Sequence, residues 1–256
     1  MIKGPDSPLV ADLHPSPNIE PRRGGLTPTI LLLHYTGLPS VAKALEVLSR
    51  PDCKVSCHYV IDVDGRIVQM VAEEKRAWHA GQSFWAGETD VNSASIGIEV
   101  HNPGHQAGYP DFPEPQMRAV AALCRDIVAR RAIRAHRVLA HSDVAPARKI
   151  DPGEKFDWLG LAEACVGHWV APEPVDPADQ GLDIGAGAEA VAEAQALLAR
   201  YGYDIAASGR FDEETRIVVR AFQRHFRPAR VDGRLDRSTL DTLARLVAAL
   251  PPPGSS

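Results

Sequence analysis

Five side chains in this sequence have the types that a hydrolytic metal site needs: His34, His141, Asp151, Glu99 and Lys149. A catalytic zinc takes three protein ligands and keeps a further position open. His34 stands near the end of the apolar run TILLLHY (29–35), and His141 near the end of RVLAHSDV (137–144). Strand ends suit ligands, because the sheet fixes the direction in which they project. Asp151 follows His141 by ten residues, within reach of a loop that folds back, and Lys149 precedes it by two. Glu99 lies inside SIGIEVHN (95–102), an otherwise apolar segment. A buried carboxylate is costly without a partner. The chemistry available is metal-assisted hydrolysis. Zinc lowers the pKa of water towards about 7, a carboxylate carries the proton to a leaving amine, and an ammonium group stabilises the oxyanion. Spacing alone leaves an ordinary reading of each residue open: a core histidine, a turn cap, a turn aspartate before Pro152-Gly153, a solvated lysine.

The elements that must position these groups follow from pattern. TILLLHY predicts a buried strand. VAKALEVLSR (41–50) predicts a helix with Pro51 just beyond its end. HYVIDVDGRIVQMV (58–71) predicts a hairpin around Asp64-Gly65. SIGIEVHN predicts a strand, 114–132 a long amphipathic helix, RVLAHSDV a short strand, and 158–170 a closing helix. Alternating strands and helices predict an α/β layered domain with a mixed sheet.

Residues 1–25, rich in Pro, Gly and Arg, read as an irregular lead-in to a domain at 26–170. A Pro-, Gly- and acid-rich linker at 171–185 separates it from a three-helix unit at 186–250, with a tail at 251–256. Two turns of that unit share one pattern, G-R-F-D-x-x-T at 209–215 and G-R-L-D-x-x-T at 233–239.

Bulk properties narrow the function. The chain has 256 residues and a formal charge of -5, which argues against a nucleic-acid partner. It has no apolar run of the roughly 18–20 residues that a membrane span needs and no apolar signal core near its start, which favours a cytoplasmic protein. Cys53, Cys57, Cys124 and Cys165 read as free thiols. Nothing in the sequence demands an oligomer, so a monomer is expected.

Four stretches, ILLLHYTG, CHYVIDVDGRIVQMVAEEKRAWHAG, SIGIEVHNPG and AHSDVAPARKIDPGEKFDW, appear in this order. Together they resemble the zinc-dependent N-acetylmuramoyl-L-alanine amidases of the amidase-2 type, over residues 18–168. The lead-in and the AWHAGQSFWAG segment are more similar to the AmiD branch than to the compact AmpD branch. The resemblance implies a mixed β-sheet flanked by helices, as in T7-type lysozyme and peptidoglycan-recognition proteins. It implies one Zn2+ per chain in a surface groove, and cleavage of the amide between N-acetylmuramic acid and L-alanine of the stem peptide. The partners it implies are peptidoglycan fragments or muropeptides. By this resemblance His34, His141 and Asp151 hold zinc, Glu99 is the acid/base, and Lys149 stabilises the transition state. Trp78, His79, Trp85 and Arg76 are substrate-binding candidates, with His79 able to meet a peptide carboxylate. Arg148 is a candidate for the acidic stem peptide, Asn92 a support for the Glu99 strand, and His58 a structural residue. His101, His105, His168 and His225 are set aside as non-functional. Residues 186–250 resemble the peptidoglycan-binding-domain-1 module.

Overall fold

The computed structural model describes every residue except 1, 3, 188 and 253–256, so most of the expected tail lies outside the described residues. In chain order the elements are β1 (Asp12–Leu13), β2 (Ile19–Pro21), β3 (Ile30–Tyr35), α1 (Val41–Ser49), β4 (Tyr59–Ile61), β5 (Ile67–Gln69) and β6 (Lys75–Ala77). Then come α2 (Val91–Ala94), β7 (Ser95–Val100), α3 (Glu114–Arg131), β8 (Val138–Ala140), α4 (His141–Val144) and α5 (Trp158–Glu163). The last three are α6 (Glu189–Tyr201), α7 (Glu213–Phe226) and α8 (Arg237–Ala248). No described helix is long and apolar enough to cross a membrane.

Six strands form a mixed sheet in the order β1-β5-β4-β7-β3-β8; only the β4–β5 hairpin is antiparallel. Side chains alternate across a strand, and here the alternation separates two faces. Leu31, Leu33, Ile96, Ile98, Tyr59 and Ile61 join one apolar cluster with Val120, Leu123 and Ile127 of α3 and Leu161 of α5. Ile30 and Leu32 join another cluster with Val191, Leu198, Phe222 and Leu243 of the C-terminal helices. Val60 and Val68 pack with Val41, Ala44 and Leu48 of α1. The second face is thus covered at one end by the helical bundle and at the other by α1. His34 and Glu99, in step with Ile30, Leu32 and Val60, lie between the two coverings.

Three expectations change. The lead-in is part of the fold: β1 adds to the sheet edge and β2 pairs with β6. Arg22, 7% exposed, donates to the carbonyls of Glu73, Ser93 and Ser95. The strand expected over 137–144 stops at Ala140, because Asp143 accepts the Ala140 N–H at 2.8 Å and turns the chain into α4. The closing helix ends at Glu163, and Cys165 beyond it is exposed at φ 62°. The four cysteines are free thiols.

In the bundle the repeated turn pattern is a repeated cap. Asp212 and Asp236 accept the N–H of Thr215 and Thr239 at 2.9 and 2.7 Å. Gln195 and Gln223 complete each turn, accepting from Gly209 and Gly233 and donating to Thr215 and Thr239.

Candidate metal centre and groove

The parallel register of β3 and β7 pairs His34 with Glu99, so both project from the same face. His141 opens α4 directly after β8, which flanks β3 on its other side. The Ser142 N–H donates to the Asp151 carbonyl at 3.0 Å, which closes the 142–151 loop and returns Asp151 to His141. Tyr109 holds the next turn, donating to Pro152 O at 2.7 Å. Gly153, at φ 87°, admits this contact, since a Cβ there would lie 2.3 Å from the Tyr109 hydroxyl.

Three buried donor atoms converge. His34 Nδ1 lies 2.8 Å from His141 Nδ1 and 3.2 Å from Asp151 Oδ2, and His141 Nδ1 lies 3.0 Å from that oxygen. Partner groups assign the protons. His141 Nε2 faces the Ala80 carbonyl at 3.1 Å; a carbonyl only accepts, so Nε2 carries a hydrogen and Nδ1 is the nitrogen turned to the cluster. For His34 the assignment runs through His79. Ser95 gives its hydroxyl hydrogen to Val91 O, so His79 Nε2–H donates to Ser95 Oγ at 3.3 Å. His79 Nδ1 therefore accepts from His34 Nε2–H at 3.0 Å, which leaves His34 Nδ1 turned to the cluster as well. Burial holds His79 well below the ordinary histidine range and His34 down at about 4, so both rings are neutral. Each ring thus engages its Nε2 elsewhere and turns its Nδ1 to the other ring and to the Asp151 carboxylate. The arrangement fits a cation, and a ligating histidine commonly donates its second ring N–H in this way.

Beside the three donors, Glu99 has one carboxylate oxygen buried without a partner. Burial first, then repulsion from Asp151, raises its pKa well above the usual carboxylate range, while Lys149 pulls it down. Lys149 forms no ion pair among the described residues. His141, Asp151, Glu99 and Lys149 line a groove of about 500 Å³ together with Trp78, His79, Tyr35, His105 and Arg148.

The other candidates divide. Trp78 lines the groove and its Nε1 has no hydrogen-bond partner. His79 lines it too, but both ring nitrogens are engaged, so it is not free to bind a peptide carboxylate as expected. Arg76 does not reach the groove; it is 9% exposed and pairs with Glu20 at 2.8 Å and Asp90 at 3.0 Å. Trp85 is 1% exposed and packs on Tyr201 and Tyr203 of the bundle, which removes it from any substrate surface. Arg148 is on the groove wall, tied to the Ala80 and Gln82 carbonyls. Asn92 supports a different segment from the one expected: its Oδ1 accepts the N–H of His79 and of Ala80. His58 joins β7 to β6, accepting from Gly97 and facing Lys75 O. His105, set aside on sequence, lies on the groove wall against Tyr35 and Glu154. The sequence reading missed Ser95 and Gly97. A Cβ on Gly97 would lie 2.5 Å from the His79 ring, so the glycine inside SIGIEV was the available signal that something packs close against this strand.

A mixed sheet carrying converging His, His and Asp donors at one end of a groove is the amidase-2 architecture, and the comparisons agree. Residues 24–154 match the amidase-2 family, described as N-acetylmuramoyl-L-alanine amidase, and residues 187–243 match a peptidoglycan-binding domain family. The chain is 38% identical over 222 residues to N-acetylmuramoyl-L-alanine amidase AmiD of Escherichia coli K12, covering 82% of this chain and 79% of AmiD. It is 34% identical to 1,6-anhydro-N-acetylmuramyl-L-alanine amidase AmpD of the same organism, over 56% of this chain and 86% of AmpD. A solved complex of E. coli AmiD with anhydro-N-acetylmuramic acid-L-Ala-D-gamma-Glu-L-Lys superposes with a TM-score of 0.73 at 34% identity, covering 90% of this chain and 92% of that one. This chain belongs to the N-acetylmuramoyl-L-alanine amidase family.

Proposed function

We propose that the chain hydrolyses the amide between N-acetylmuramic acid, including its 1,6-anhydro form, and L-alanine of the stem peptide, with one zinc ion, in peptidoglycan recycling. The observation that carries this reading is the convergence of two imidazole nitrogens and a carboxylate beside the unpartnered carboxyl oxygen of Glu99. The substrate class is supported by the AmiD and AmpD relatives, whose names and bound ligand specify this bond.

His34, His141 and Asp151 would hold the metal, and their neutral nitrogens and carboxylate match zinc's ligand preferences. Zinc bound there supplies Lewis acidity and lowers the pKa of water. Glu99 takes the proton of the attacking water and passes it to the alanine nitrogen as the C–N bond breaks. Burial favours the protonated carboxyl and the Lys149 charge favours the ionised one, so Glu99 can both take and give the proton. Lys149 on the groove wall stabilises the oxyanion that forms at the lactyl carbonyl. Trp78 on the groove wall offers an apolar face to the bound muropeptide.

Mass-spectrometric product analysis with anhydro-muropeptides tests the reading. Free peptide should be released, release should stop on chelation, and added zinc should restore it. Intact peptide–sugar bonds with zinc bound would refute it. The bundle's match to a peptidoglycan-binding family favours a second substrate, the polymeric wall. Recycling predicts faster release from soluble fragments than from intact sacculi; the reverse order would assign the chain to wall cleavage.

A further inference from the structure

We infer that the C-terminal bundle sets the position of the metal ligand His141, through Asp143, with Tyr203 and His225 as positioning residues. This rests on the reading of His141 as a ligand. Asp143 lies two residues after His141 in α4 and its side chain is fully buried. A buried carboxylate is costly unless hydrogen-bond donors satisfy it. One donor is local: the Ala140 N–H, on the residue preceding His141, reaches Oδ2 at 2.8 Å. The other two come from the bundle. Tyr203 donates its hydroxyl to Oδ1 at 2.7 Å and His225 donates from Nδ1 to Oδ2 at 2.7 Å.

Both bundle donors are themselves held. His225 stacks on Trp158 of α5 with ring centroids 3.6 Å apart. Tyr203 meets Trp85 edge-on at 4.9 Å, and burial beside the carboxylate keeps its phenol protonated and donating. The Asp143 carboxylate is therefore gripped from opposite sides of the interface. One of its oxygens defines the turn at which β8 becomes α4, the turn that aims His141. An interface held by apolar contact alone tolerates sliding, but three directional hydrogen bonds at one carboxylate do not. The bundle thereby gains a role in the metal centre that is independent of any glycan it binds.

The test uses the full chain and four readouts: zinc affinity by chelator competition, the visible spectrum of the cobalt-substituted protein, kcat and KM on anhydro-muropeptide, and the thermal midpoint of the metal-free protein. His225→Leu should weaken zinc about 10- to 100-fold, the range seen when a ligand loses its support. It should also alter the cobalt spectrum and lower kcat with KM nearly unchanged. His225→Asn keeps an N–H near the Nδ1 position and should restore much of each. Tyr203→Phe, which removes a single hydroxyl, should shift affinity and spectrum in the same direction by less. If His225→Leu does not fold, Tyr203→Phe decides. Variants that lower the thermal midpoint while zinc affinity, spectrum and kcat stay at the wild-type level would overturn the inference and leave an ordinary packing contact. Failure of the wild-type protein to bind zinc or release peptide would instead overturn the functional reading beneath it.

Discussion

Gln195 and Gln223 in the bundle and Glu99 in the groove are all polar side chains with buried atoms, yet they are treated differently. Each glutamine carbonyl accepts a glycine N–H, and each amide donates to a threonine hydroxyl and to an arginine carbonyl. Every strong group is paired, and the turn pattern repeats around it. In the groove, one Glu99 oxygen has no partner, and three ligand atoms of His34, His141 and Asp151 crowd together within about 3 Å of one another. Buried polar groups are normally satisfied, because leaving one unpaired costs about 1–3 kcal/mol. The two glutamine turns follow that rule and gain stability. The groove departs from it where a cation, water and substrate would complete the set.

Removing a group from each side sharpens the contrast. The largest effect is expected from Glu99→Ala, which should cut turnover about a thousandfold, within the range for loss of a general acid–base. Its thermal midpoint should hold or rise, since an unsatisfied carboxyl is lost. A midpoint several degrees lower, with turnover preserved, would place Glu99 among the structural groups.

Asp236→Ala should do the opposite. Asp236 is 1% exposed and accepts from Arg227 at 3.0 Å, from the Thr239 N–H at 2.7 Å and from Arg230. Its loss leaves the buried Arg227 guanidinium uncompensated, so denaturant unfolding should show about 3–5 kcal/mol of lost stability. Zinc affinity of the folded fraction should not move. Stability within 1 kcal/mol of wild type would contradict the pairing argument.

The smallest effect concerns His58, a paired histidine next to the groove. Burial and the nearby Arg22 hold it down at about 3, against an ordinary value of 6.5. Between these values the unfolded chain binds a proton that the folded chain refuses. Stability should therefore fall as pH drops from about 7 towards 3, and level off below. His34 and His79 are shifted the same way and add to the slope in the metal-free protein. His58→Asn should show a shallower fall of the thermal midpoint between pH 7 and 4, and an unchanged slope would show that other groups set it.

Much of the frame was legible in sequence, for local reasons. The run Ile30–Tyr35 and the segment Ser95–Val100 declare strands by composition, and helix 114–131 declares itself by its periodicity. The two G-R-x-D-x-x-T turns were readable because a cap and its helix lie within a few residues of each other. Arg76 and Trp85 were misplaced because residue type shows affinity for sugar or charge, not which surface is already occupied. The two short strands of the lead-in were missed because a two- or three-residue strand carries no period.

By itself, the sequence determined which donors exist and that His34 and Glu99 stand on strands, since these follow from side-chain chemistry and local pattern; the β3–β7 register set their common face, and the Asp143 turn moved His141 from a strand to the start of α4. Only the tertiary structure decided which nitrogen of each histidine faces the metal centre. That depends on Ala80 for His141, and on His79 and Ser95 for His34, and those contacts span 45 to 61 residues of chain at their longest. Only the tertiary structure brought Tyr203 and His225 onto Asp143, across 60 and 82 residues. Lone-pair directions at a metal centre are set by such distant partners, and no local pattern encodes them.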